Sequence, residues 1–422
     1  MLKNIQTKIL PILGLFLSMT MPVISADLFQ SDRFMLSGFG TLGLTSSGSD
    51  ELGFRRDATQ KEEVYHGDVG FLTDSRAGIQ VNAKLNPQFN AAVQLVVKER
   101  ISHNIDKLLE LAFLSYRPTN NLELRFGRLK GAIYMLSEYR DVGFAYLWAR
   151  PVSEFYGYFL FQSADGMDVQ YSMNTPGGGF LQLKAFGGYT HINAPFGDTE
   201  WNTGSIPAYG LNLNFEKNNW IFRAGWARAE FEDGDLTIFN DLKDPLQSIP
   251  SFLWPDAQGL ADKLSYDDSF ANFYSLGMTY DNGQWVVQSE LGMLNSSKAI
   301  LPTTMSGYLS LGYRVGKFTP YVVASFIDST KDRYSSPEPF LPSLQPLHEV
   351  VVGAINESRA SQNTISVGTR WDLSRHTALK FQWDVRHIKG GEAVLWRLAP
   401  QDDFFTKDQT VNTFSINLDF IF

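Results

Sequence analysis

The chain has 422 residues, no cysteine, and 45 acidic against 36 basic side chains for a formal net charge of −9. The acidic balance argues against a nucleic-acid partner, and the absence of thiols excludes a disulfide scaffold and a thiolate metal site. Aromatic residues make up 14% of the chain while its mean hydropathy is slightly negative; a protein can be both if one face is apolar and the other wet.

Lys3 and Lys8 form a basic start, Ile9 to Val23 is an apolar stretch, and Ile24-Ser25-Ala26 ends on a small residue. That order predicts a secretory signal peptide over 1–26, with 27–422 as one mature domain. Pro11, Gly14 and Pro22 interrupt the run, which is short for a bilayer span. No second long apolar run follows, so no transmembrane helix is expected.

From Arg33 onward the apolar residues recur at period two, which predicts strands with one apolar and one polar face. The first is Arg33 to Leu44. Ser75 to Leu85 sets Ala77, Ile79, Val81, Ala83 and Leu85 against Arg76, Gln80, Asn82 and Lys84, and Asn86-Pro87 turns the chain into a third strand from Phe89. Lys107 to Arg117 and Leu122 to Leu129 follow. The same unit then repeats, two strands around a short turn and then a longer polar connection. The pairs are Met167–Met173 with Leu181–Tyr189, Tyr209–Phe215 with Trp220–Arg228, and Phe273–Tyr280 with Trp285–Met293. Gly307–Tyr313 with Phe318–Phe326 and Thr364–Trp371 with Ala378–Arg386 complete them. Asp281-Asn282-Gly283 is a strong hairpin signal.

The last strand is Thr410 to Phe422. Phe414, Ile416, Leu418, Phe420 and Phe422 share one parity, and Thr413, Ser415, Asn417 and Asp419 the other. Taken alone it also suits a buried strand of a soluble β-sandwich. An exposed strand ending on aromatics is an aggregation hazard, whereas a closed membrane barrel has no edge and places aromatics at its interface. The segment resembles the C-terminal strand of Gram-negative outer-membrane proteins. Its terminal Phe, here Phe422, is then part of the signal read by the barrel assembly machinery.

The total is sixteen segments joined by seven short turns, with longer connections at about 45–66, 101–106, 130–157, 190–206, 230–268, 295–303, 328–361 and 388–409. Alternating short and long connections with an even strand count predict an all-β, antiparallel transmembrane barrel. Phe215 and Trp220, Tyr280 and Trp285, and Tyr313 and Phe318 flank short turns, as an interfacial aromatic girdle requires. A propeller would repeat in fours with a blade motif, which is absent.

This layout resembles the general porins of Gram-negative bacteria. The run Arg125-Phe126-Gly127-Arg128-Leu129-Lys130 leading to Ser137-Glu138-Tyr139-Arg140-Asp141-Val142-Gly143 looks like their fifth strand and third loop. The chain lacks the Pro-Glu-Phe-Gly-Gly-Asp type of loop tip found in enterobacterial porins, so the eyelet departs from theirs. The resemblance implies export through the periplasm to the bacterial outer membrane, lipid and lipopolysaccharide as surroundings, and a homotrimer. It also implies passive passage of small polar solutes, no cofactor, and a third loop folded into the lumen.

On that reading Lys130, Glu138, Arg140, Asp141, Arg150 and Glu154 belong to the constriction. Parity assigns Arg76, Lys84, Lys98, Arg100, Arg125, Lys184, Arg223, Arg370, Lys380 and Arg386 to the pore wall, with Glu110, Glu123, Asp168, Glu290, Asp384 and Asp419 as the wall acids. The excess of cations predicts an anion-leaning pore. Three alternatives stay open. The wall charges pair into structural ladders and leave weak selectivity, the channel serves one nutrient class, or the barrel is structural or adhesive with no open pore.

The acids Glu230, Glu232, Asp233, Asp235, Asp241 and Asp244 crowd one long loop. Asp233-Gly234-Asp235 offers oxygens to a divalent cation or, through one, to lipopolysaccharide, but the spacing does not match a full calcium loop and a solvated loop is the simpler reading. The six histidines are scattered, so no metal site is expected. No Gly-x-Ser-x-Gly, His-Glu-x-x-His or phosphate-cradling loop is present. Ser374-Arg375-His376 falls in a short turn, and no enzyme is expected.

Overall fold

In the computed structural model, the described residues are 31–100, 105–158, 163–191, 193–196, 199–202, 204–231, 240–264, 269–298, 301–399 and 406–422. The expected signal peptide and Glu232, Asp233 and Asp235 lie outside them.

Sixteen strands close into one barrel. They are β1 (Phe34–Ser47), β2 (Arg76–Lys84), β3 (Phe89–Lys98), β4 (Leu109–Tyr116), β5 (Leu122–Lys130), β6 (Ser163–Thr175), β7 (Gly179–Thr190) and β8 (Ile206–Lys217). The second half comprises β9 (Trp220–Phe231), β10 (Ser269–Asp281), β11 (Trp285–Ser296), β12 (Thr304–Tyr313), β13 (Phe318–Ser329), β14 (Ala360–Asp372), β15 (Thr377–Ala393) and β16 (Gln409–Ile421). Each pairs antiparallel with its chain neighbours, and β16 returns to β1 in the register Gly40↔Phe420, Thr41↔Asp419. All sixteen expected segments are therefore strands. Several run further than their apolar pattern, most of all β15, which continues through Lys389, Gly390, Gly391 and Glu392. A strand that projects beyond the bilayer loses its apolar parity, so period two alone cannot show where it ends.

The barrel wall is inverted relative to a soluble sheet. Every strand holds at least one exposed large apolar side chain, among them Leu42 on β1, Leu211 on β8, Leu276 on β10 and Ile416 on β16. A continuous apolar belt of this kind has no place in water and is the lipid-facing surface of a membrane barrel. At the short-turn end five of the expected aromatics meet others across strands, one of them with Trp371, which the turn pattern does not single out. Trp220 and Tyr280 lie 4.6 Å apart, Trp285 and Tyr313 also 4.6 Å, and Phe318 and Trp371 5.4 Å.

The β1–β16 seam is closed by side chains as well as by backbone. A Cβ added at Gly38 would lie 2.2 Å from the Phe422 ring, and one at Gly40 would lie 2.3 Å from the Phe420 ring. Both glycines are thus sockets that only a residue without a side chain can form.

The longest connections are not simple polar loops. Helices α1 (Asn240–Ser248), α2 (Ala257–Lys263) and α3 (Gln345–Asn356) come from two of them. They share a small core of their own around Leu246, Trp254, Leu260 and Val351. The first and last long loops are joined by a ribbon pairing Leu52–Phe54 with Trp396–Leu398.

Candidate functional site in the barrel lumen

The connection after β5 is too apolar to be solvated. It carries Ala132-Ile133-Tyr134-Met135-Leu136, Phe144 to Trp148, and Phe155-Tyr156, and most of these side chains are buried. Inside a barrel of sixteen strands, the available place to bury them is the lumen. There they form an aromatic core with wall residues. Trp148 meets Tyr308 edge-on at 5.3 Å, Phe155 meets Tyr308 at 5.5 Å, and Tyr134 meets Phe273 at 5.4 Å. Each such pair contributes about 0.5–1.5 kcal/mol beyond its burial.

Polar anchors fix the loop to strands all round the bore. The Ile133 carbonyl accepts from Ser275 Oγ on β10 at 2.8 Å. Lys380 Nζ on β15 donates to the carbonyls of Gly143 and Trp148 at 2.7 and 2.8 Å while pairing with Asp419 at 2.9 Å. Trp148 Nε1 donates to Ser310 Oγ at 2.8 Å, and Asn417 Nδ2 donates to the Ala149 carbonyl at 2.6 Å. Gly143 sits so close to β1 and β16 that a Cβ there would fall 2.1 Å from the Asp419 carboxylate.

The six expected constriction residues divide into two kinds. Lys130 and Asp141 are buried at the root of the loop. Lys130 pairs with Glu110 and Asp141 at 2.5 and 2.9 Å, and Lys98 pairs with Asp141 and Glu110 at 2.8 and 3.3 Å. Burial opposes the charge on Asp141, but Lys130 and Lys98 outweigh it and hold the carboxyl well below its ordinary range. Arg150 is 1% exposed and grips Asp74 with Nε and Nη2 at 2.9 and 2.6 Å. Glu154 is equally buried and accepts from Ser325 at 3.0 Å and from Gln362 and Thr364. These four pin the loop. Breaking a buried pair such as Arg150–Asp74 costs about 3–5 kcal/mol.

Glu138 and Arg140 lie nearer the open lumen. The Glu138 side chain is 52% exposed and bridges to Lys184 at 2.7 Å and Arg125 at 3.4 Å. Its partial burial raises the carboxyl, yet Lys184 and Arg125 bring it down to about 2. Arg140 stands 3.7 Å from Asp57, a residue of the first long loop, which also turns inward. Phe54 of that loop packs on Trp396 at 5.5 Å and lies under the guanidinium groups of Arg150 and Arg386.

Of the expected wall cations, seven meet carboxylates. Arg125 pairs with Asp168, Lys98 and Arg100 with Glu110, Lys184 with Glu138, Arg370 with Asp372, Lys380 with Asp419, and Arg386 with Asp384. Arg76 instead donates to the Tyr146 hydroxyl, Arg223 donates to the Tyr134 carbonyl, and Lys84 lies exposed at the short-turn rim. Sequence parity missed Asp74, Tyr134, Phe54 and Trp396. They sit in connections, where no periodicity reports burial, although the apolar run around Tyr134 was a readable signal.

Beneath the loop, towards the short turns, a cavity of about 640 Å3 remains. Glu138, Tyr139 and Phe144 to Trp148 form one side of it, and polar residues of β7 to β14 such as Lys184, Asn214, Arg223, Gln288 and Arg370 form the other. Among the described residues no cluster suited to a metal ion occurs. Ser374 and His376 lie in the β14–β15 turn, where the His376 amide donates to Ser374 Oγ at 3.1 Å.

The closed barrel has clear counterparts among solved structures. The anion-selective porin from Comamonas acidovorans is 13% identical over 92% of this chain and 100% of that one, with a TM-score of 0.52. Salmonella typhi OmpF, solved in complex with daunomycin, is 12% identical over 92% and 97%, with a TM-score of 0.53. The fold is that of the outer-membrane porins. The outer membrane channel DcaP of Acinetobacter baumannii shares it too, at 11% identity over 93% and 99%, with a TM-score of 0.51. No protein-family model matches the sequence, and no curated protein matches it. At these identities the likeness is one of fold, and the side chains that fill the lumen are this chain's own.

Proposed function

We propose that the chain is a channel of the bacterial outer membrane, passing small hydrophilic solutes by diffusion through a lumen narrowed by its third loop. The observation that supports this best is that loop itself, anchored across the bore by Lys380, Asn417 and Arg150, with a polar cavity of about 640 Å3 left beneath it. Catalysis has no part in this reading.

Selectivity is weak on this view, with a modest lean to anions. Most wall cations face a partner, so they hold the loop and do not present a basic field; Arg76, Lys84 and Arg223 are the wall cations that meet no carboxylate among the described residues. Pairing of this kind lowers the charge that a passing ion meets. The dense aromatic packing also favours a second reading, a barrel with no open path.

Planar-bilayer recording of the purified protein separates these readings. Stepwise conductance smaller than that of a wide ohmic pore, with a reversal potential slightly on the anion side in a salt gradient, is expected. Absence of steps at any voltage favours the closed barrel, and a clear cation preference removes the anion lean.

A further inference from the structure

Four cations face the cavity under the third loop: Lys184, Arg223, Arg314 and Arg370. Three are committed. Lys184 pairs with Glu138 at 2.7 Å, Arg314 with Asp281 at 2.6 Å and Arg370 with Asp372 at 2.8 Å. Arg223 meets no carboxylate within ion-pair distance among the described residues. One of its Nη atoms donates to the Tyr134 carbonyl, and its buried Nε has no partner. A guanidinium carries five N–H donors in a fixed fork suited to a carboxylate, and here most of them are unspent.

The neighbouring strands add a second donor. Asn214 lies opposite Arg223 in the β8–β9 register, and Gln182 lies opposite Asn214 across β7 and β8. Asn214 Nδ2 donates to Gln182 Oε1 at 3.1 Å, which occupies the acceptor end of that amide and leaves its Nε2 as a donor. Gln182, Asn214 and Arg223 all line the cavity. One acid in the cavity, Glu216, also lacks a cation partner among the described residues. It sits opposite Ile221, two residues nearer the turn than Arg223, and is exposed.

We propose that this corner of the cavity is a binding subsite for the carboxylate group of a small solute, held by the Arg223 guanidinium with Gln182 Nε2 as the second donor. The proposal rests on the channel reading only for how the solute arrives. A charge-assisted, two-donor contact at a partly desolvated position discriminates a carboxylate from an uncharged isostere. Glu290 and Glu138, whose charges act on Arg223, temper its field, and Glu216 adds a further like charge in the same cavity, so all three oppose binding at longer range.

The test is equilibrium binding of propionate to the detergent-solubilised, folded barrel, followed by titration calorimetry or 13C line broadening, with 1-propanol as the uncharged control. Propionate should bind and 1-propanol should not. Arg223→Gln should weaken propionate by about tenfold or more, the loss of one charged contact. Arg314→Gln, on the same cavity but already paired, should change it by no more than about twofold, and Glu216→Gln should strengthen it by about twofold. Propionate binding unchanged in Arg223→Gln, or 1-propanol binding as well as propionate, overturns the subsite. The wild-type comparison of the two solutes stands even if the Arg223 variant does not fold. Binding with no conductance would reject the channel and keep the site, whereas conductance without binding would do the reverse.

Discussion

Glu138 is the side chain of the third loop whose charge is both exposed and paired. It is the half-exposed acid of the third loop, and Lys184 and Arg125 hold it to the wall. Its carboxyl stands at about 2 against an ordinary 4.5. A depressed carboxylate contributes its full stabilisation above the ordinary value and loses it as the pH falls through the folded one. Open-channel noise in wild type should therefore stay constant from pH 7 to about 4.5 and rise only as the pH approaches 2. Glu138→Gln should be noisy at every pH, because the bridge is absent throughout. If the wild type already loosens between pH 6 and 5, this clasp is not what holds the tip.

At the scale of the element, the third loop is a structured insert, not a flexible strap. Its conformation depends on close approach at Gly143, where a side chain would enter the space of Asp419 and of Thr41 Oγ1 at 2.5 Å. Gly143→Val should lift this part of the loop away from β1 and β16, and single-channel recordings should show larger and more variable steps while the barrel remains folded. Unchanged steps would mean that the anchors at Ser310 and at Gln382, whose Oε1 accepts from the Ala149 amide at 2.9 Å, suffice. The strands around this loop were legible from residue alternation alone, because one side of each faces lipid and the other water. The loop's path was legible only in outline. Lys130, Arg150 and Glu154 could be chosen as charged residues in or beside the right connection, but the partners Asp74 of Arg150 and Thr364 of Glu154 lie on elements that only the folded loop brings near. Parity placed Lys98, Lys380 and Arg386 on the inner wall and could not show that each faces an acid. The helices α1 to α3 escaped notice because their small core is assembled from two loops far apart in sequence.

The whole molecule stands or falls with its closure. Thr41 and Asp419, joined by a 2.5 Å hydrogen bond, are 378 residues apart, and beside them the Phe420 and Phe422 rings occupy the sockets at Gly40 and Gly38. Gly38→Val should block the Phe422 ring and reduce the yield of folded, membrane-inserted barrel about as much as deleting Phe422, while the pores that do form conduct normally. Fractionation of inserted from misassembled chain, read beside single-channel size, checks both halves. A Gly38→Val protein that inserts at wild-type levels would show that the ring and its socket contribute little.

The seam also makes β16 the strand on which closure waits. A contact spanning nearly the whole chain is slow to form and cannot form early. Until β16 is in place, β1 and β15 both remain open edges that invite foreign pairing. A copy cut short by a few residues would keep nearly all of its wall and still lack the ring that fills the Gly38 socket. Loss of that single ring would thus leave the Gly38 socket empty and weaken the seam without altering the rest of the wall.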